Sequence, residues 1–123
     1  MITEDYVSFE TAKLLKEKGF DAVKRQNSPH FAYNKDGQFS GPSWDTEYVA
    51  PTLQMAMKWL REVHNLHIEV CRTACCYLYI ISRVPTGSDL YSDDYDGDEN
   101  SGQWTTNEQA CEAAIKYCLE NLI

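Results

Sequence analysis

The spacing of apolar residues changes from three-and-four to two across Asn65, and that change constrains the fold more than any other feature of the chain. Before it, Leu53, Ala56, Met57, Leu60 and Val63 fall on one stripe of a helix. Lys58, Arg61 and Glu62 take the wet side, and Trp59 sits at the stripe's edge. After it, Leu66, Ile68 and Val70 alternate with His67, Glu69 and Cys71, the pattern of a half-buried strand. An amphipathic helix followed at once by an alternating strand requires helix and sheet to share one core. Pro51 opens this helix in the reading, since a missing N–H costs nothing in a first turn. Asn65 closes it in the left-handed conformation, with Leu66 as the hydrophobic partner.

The remaining segments fit the same scheme. Ser8 is the N-cap of an earlier helix, with Val7 as staple and Phe9, Ala12 and Leu15 as its apolar face. Gly19 stops it, and Phe20 folds back on Leu15. The run His30 to Asn34, then Lys35-Asp36-Gly37, then Gln38-Phe39 predicts a hairpin. Ser40 to Val49, with Gly41, Pro42 and Ser43, reads as loop. Cys76 to Val84 is a longer strand, rich in Tyr and Ile, that pairs with Leu66–Cys71 through a turn near Thr73-Ala74. Pro85 ends it, because proline cannot donate to the ladder. Thr106-x-x-Gln109 opens a last helix as a capping box, with Ala110, Cys111, Ala114, Ile115, Cys118 and Leu122 on its apolar face. The expectation is one α+β domain over residues 1–123, in the order α-β-β-α-β-β-α. Helices at about 8–18, 52–64 and 107–121 cover one face of a small antiparallel sheet.

Charge bears on partners. The chain carries a formal −8, of which Asp89, Asp93, Asp94, Asp96, Asp98 and Glu99 supply six, leaving −8 + 6 = −2 elsewhere. An acidic loop is therefore expected at about 86–104, solvated and mobile. Direct nucleic-acid binding is disfavoured, since phosphate neutralisation needs a basic surface. No apolar run reaches the ~20 residues of a membrane span. Met1 to Tyr6 is acidic and lacks an apolar core, so no secretory signal is read there. The cysteines at 71, 75, 76, 111 and 118 are then read as reduced thiols rather than a disulfide framework. Zinc held by Cys71, Cys75 and a histidine is the weaker alternative, and Cys111 and Cys118 read as small core residues.

Within the acidic segment, Asp94, Asp96 and Asp98 alternate as the ligands of a calcium loop do. With Gly97 at the sixth position, Ser92 stands first and Gln103 twelfth; with Asp94 first, Glu99 replaces the glycine and Thr105 stands twelfth. Neither register supplies the bidentate glutamate. The other reading is protein contact through Tyr91, Asp93, Asp94, Tyr95, Asp96, Asp98 and Trp104, because aromatics anchor interfaces. His30, His64 and His67 lack a nucleophile at motif spacing, and no Gly-x-Ser-x-Gly or phosphate-binding glycine loop occurs. No catalytic or cofactor-binding residue is assigned.

Three blocks carry a resemblance. They are Ser8-Phe9-Glu10-Thr11-Ala12-Lys13-Leu14-Leu15-Lys16-Glu17-Lys18-Gly19-Phe20-Asp21, the run from Ala50 to Ile68 containing Lys58-Trp59-Leu60-Arg61-Glu62, and Cys111-Glu112-Ala113-Ala114-Ile115. Together they resemble small uncharacterised proteins encoded by phages and prophages of gut Bacteroidales. The resemblance implies a phage or mobile-element accessory protein in the cytoplasm of a bacterial host, and it carries no activity or site residues. The leading expectation is a non-enzymatic protein that binds a host or phage protein, sharpened to an acidic-aromatic loop meeting a basic surface. The alternatives are a small enzyme or ligand-binding domain with a cleft between helix and sheet, and a structural component of a homo-oligomer.

Overall fold

The computed structural model describes residues 5–20, 30–43, 48–73, 76–92 and 104–123. The fold is α+β with antiparallel sheets, and the order α-β-β-α-β-β-α is observed, each strand pair gaining a short third strand. Helix α1 (Phe9–Glu17) is followed by β1 (His30–Tyr33), β2 (Phe39–Ser43) and β3 (Tyr48–Val49). Then come α2 (Leu53–His64), β4 (Leu66–Arg72), β5 (Tyr77–Arg83), β6 (Asp89–Ser92) and α3 (Asn107–Tyr117). A π-helical turn over Cys118–Leu122 continues α3. The strands form two sheets, in the orders β2-β1-β3 and β4-β5-β6.

The caps follow from the side chains. Ser8, Thr52 and Thr106 each accept from the backbone N–H three residues on, satisfying a donor that the first turn leaves orphaned. Pro51 therefore lies outside α2, before the Thr52 cap, and not in its first turn. Its carbonyl accepts from Val7 N–H at 3.0 Å, and Leu53 N–H donates to the Asp5 carbonyl at 2.9 Å, which ties the chain start to the entry of α2. At the end of α1, Phe20 N–H reaches the Leu15 carbonyl (2.9 Å) and Gly19 N–H that of Lys16 (3.2 Å), the paired bonds of a Schellman motif. Asn65 takes the left-handed conformation, φ 58°, as expected.

The Lys35-Asp36-Gly37 turn forms as expected, held by the Asn34 side chain, whose Oδ1 accepts from Asp36 and Gln38 N–H. The loop expected at Ser40–Val49 is different: Phe39–Ser43 and Tyr48–Val49 are strands flanking β1. Pro42 is tolerated because β2 is an edge strand, where a missing N–H costs no ladder bond. The turn between β4 and β5 is closed by Thr73, whose N–H donates to Cys76 O while its hydroxyl accepts from Cys76 N–H. The start of the acidic segment, Asp89–Ser92, pairs with β5 as β6, which half-buries Leu90 and Tyr91.

One core unites the helices with the second sheet. Ile68 pairs with Ile81 and Val70 with Tyr79, so these side chains share a face. They meet Leu53, Ala56, Met57 and Leu60 of α2 and Cys111, Ala114 and Ile115 of α3. Val63, expected in the stripe of α2, is 57% exposed. It lies on the Trp59 flank, beyond the width that the sheet and α3 cover. Trp59 packs edge-on against Phe20, ring centroids 5.4 Å apart. The first sheet joins α1 through Tyr6, Phe9, Phe31, Tyr33, Phe39 and Tyr48, whose neighbouring rings stand 4.6–5.5 Å apart.

Candidate functional site

The N-termini of α1 and α3 open onto one cleft of about 970 Å³. Asp5 to Glu10, Leu53 of α2 and Trp104 to Lys116 build it. The N–H of Ser8 donates to Glu112 Oε1 at 3.0 Å, and the Thr11 hydroxyl donates to the same oxygen at 2.5 Å. The Ser8 hydroxyl in turn donates to Thr11 Oγ1 at 3.2 Å. Glu112 thus caps α1 from α3 and locks the two helices together at this end. Its charge also faces Tyr33, whose hydroxyl donates to the Val7 carbonyl at 2.8 Å. Burial, and then the Glu112 carboxylate, push the Tyr33 phenol above its ordinary range.

Asp5, Glu10, Glu108 and Glu112 are the carboxylates of the cleft, and Lys116 is its one basic side chain among the described residues. Lys116 is held by Glu10 at 2.6 Å. Their hydrogen bond, and then their mutual charge, lower the Glu10 carboxyl and raise the Lys116 ammonium. These opposite shifts are those of an ion pair, not of a desolvated acid–base couple. Thr11 is the hydroxyl closest to a carboxylate here, but it is fully buried and cannot meet a substrate. The arrangement is suited to hold cationic groups at carboxylates.

Of the contact residues singled out in and beside the acidic segment, Tyr91 and Trp104 are described. Tyr91 is half-buried and stacks on Tyr117, centroids 3.9 Å apart. Trp104 pairs with Tyr77 in an isolated bridge, its carbonyl accepting from Tyr77 N–H at 2.8 Å. Trp104 also lines the cleft. Ser92 pairs with Ile80 on the same edge of β5. Ile80 and Tyr77 are three residues apart, so Ser92 and Trp104 stand about 10 Å apart along that edge. Asp93, Asp94, Tyr95, Asp96 and Asp98, and with them the calcium reading, lie outside the described residues, as does Cys75.

The other candidates fall apart in space. His64 stands edge-on to Trp59, its Nε2 buried with no hydrogen-bond partner among the described residues, and His67 is half-buried on the opposite face of β4 from the core. Cys111 and Cys118 are buried in the core, and burial pushes their thiols up to about 11 and about 12. Among the described residues, no group of three or more His, Cys, Asp or Glu could hold a metal ion, and no helix is long and apolar enough to cross a membrane. Sequence reading missed the cleft because its charges come from both ends of the chain at no motif spacing. The one available signal was the acidic first turns of both helices, Glu10 and Glu108. Compared with protein-family models, curated proteins and solved structures, the chain matches none of them.

Proposed function

We propose that this chain is a non-enzymatic accessory protein, of phage or mobile-element type, that binds a basic surface of a host or phage protein. The observation that supports it is the charge of the cleft. Four carboxylates face one lysine, and that lysine is already paired with Glu10. The run of aspartates from Asp93 to Asp98 precedes Trp104 in sequence, and Trp104 lines the cleft. Carboxylates gathered around a cleft attract cationic partners over a Debye length and speed encounter. Tyr95 within the segment adds an aromatic contact of the kind interfaces favour.

The test is affinity capture from host lysate with wild-type protein and with Asp5→Asn/Glu108→Gln, alone and combined with Asn at Asp93, Asp94, Asp96 and Asp98. Glu112 is left in place because it caps α1. A basic partner captured by the wild type and lost from the variants is the expected result. An unchanged set of captured proteins would refute the reading. The alternative, a ligand-binding cleft, is supported by the cleft volume alone, and saturable binding of a small cationic metabolite would favour it.

A further inference from the structure

Four strands form the sheet edges among the described residues, and three of them are blunted. In the first sheet, β2 carries Pro42 and an irregular register, and β3 has only two residues. In the second, β6 has four residues and a register shift against β5. The fourth, β4, has seven residues in unbroken register and contains no proline, glycine or lysine. Natural sheets protect their edges by shortness, bulges, proline, charged side chains or a covering element. β4 is neither short, bulged nor broken by proline, and among the described residues its protection is limited to the charges of Glu69 and Arg72 and to α2 on one face.

The register shows which groups this edge offers. Val84 N–H donates to Asn65 O, and Thr73 N–H to Cys76 O, on the same pairing as Leu66↔Arg83. Odd-numbered residues of β4 are therefore the hydrogen-bonded partners of β5. By the alternation of an antiparallel ladder, Leu66, Ile68, Val70 and Arg72 direct both N–H and C=O outward.

The helices decide what can pair there. α3 covers β4 and β5, and α2 packs beside α3 over β4. Packed helix axes stand about 8–10 Å apart, two strand spacings, so α2 runs along the outer margin of β4. A second copy joined through the same edge would bring its own α2 onto that margin, where one helix already lies. A bare extended segment fits beneath α2 as another β4 would.

We propose that the outer edge of β4 accepts an extended segment of a partner protein as a fourth strand. Its side chains toward α2 are apolar, continuing the row of Leu66, Ile68 and Val70. Those on the other face are basic, beside the exposed Glu69. This edge lies across the sheet from Trp104, so it is a second surface, separate from the acidic cleft.

Hydrogen exchange of the isotope-labelled full chain tests this, with a seven-residue peptide alternating valine and lysine as the probe. In free protein the amides of Leu66, Ile68, Val70 and Arg72 should exchange fast, and those of His67, Glu69 and Cys71 slowly. Peptide at about ten times its Kd should slow the outer four roughly tenfold. Val70→Pro removes one outward N–H and no ladder bond, and should abolish the effect. Glu69→Lys should transfer preference to a valine–glutamate peptide. The proposal is overturned if the outer amides are already slow in dilute free protein, or if excess peptide leaves them unchanged. It is equally overturned if Val70→Pro binds as wild type, or if protein concentration alone protects them, which would assign the edge to a second copy.

Discussion

At the scale of single residues, two kinds of position carry the account. Leu60 is fully buried where α2 meets the sheet. Leu60→Ala leaves a cavity there and should cost about 2–5 kcal/mol in chemical denaturation. A cost below ~0.5 kcal/mol, typical of surface sites, would contradict its place in the core. The Glu10–Lys116 pair makes the other prediction. The Glu10 carboxyl is lowered, so its contribution is present above the unfolded carboxylate range and lost as pH falls through its folded value. The Lys116 ammonium is raised, so its contribution is present below the unfolded lysine range and lost as pH rises through its folded value. This ion pair between α1 and α3 is therefore complete at neutral pH and released at both extremes. An NMR titration should show Glu10 ionising below ordinary glutamates, and Lys116→Met should return it toward them. Lys116 and Glu10 are both solvent-facing, so the effect should shrink in high salt.

At the scale of elements, the helices were legible because their signals are local. Ser8, Gly19, Asn65 and Thr106 each act within one turn of their own position. The capping box departs in one detail: the Gln109 side chain accepts from Thr105 N–H and not from the N–H of Thr106. Strand β2 was legible at its start, Phe39, but not beyond it, because an edge strand tolerates the proline at 42; β3 was not legible, because two residues carry no period. β5 was legible as a strand but not as the central one. Its unbroken apolar run, Tyr77 to Ile81, is the mark of a strand covered on both faces, and Leu78 is buried on the side away from the helices. The first turn gives a test at this scale. Gly37 has φ 82°, and an added Cβ would stand 2.9 Å from the Phe9 ring. Gly37→Ala should cost about 1–2 kcal/mol from the left-handed backbone, more if the ring cannot shift. Thermal melting within a degree of wild type would contradict the close approach of this turn to α1.

At the scale of the whole molecule, charge separates folding from partner binding. The aspartates at 93, 94, 96 and 98 lie outside the described residues, and like charges close in sequence repel. Changing all four to Asn should leave the melting temperature unchanged or slightly higher at low salt, with salt reducing the difference. A loss of several kcal/mol would make the segment structural, and a rise in melting temperature with calcium that these variants lack would restore the calcium reading. The cleft itself was beyond sequence reading for a reason that is general here: Ser8 and Glu112 are neighbours only after α1 and α3 pack. The central claim, that this acidic cleft binds cationic surfaces, is tested most directly by an NMR titration of the labelled protein with oligolysine. The account predicts saturable shifts concentrated at Asp5, Glu108, Ala113 and the Trp104 indole, weakened by salt and by Asp5→Asn/Glu108→Gln. Shifts spread evenly over every surface carboxylate, or none at all, would contradict it.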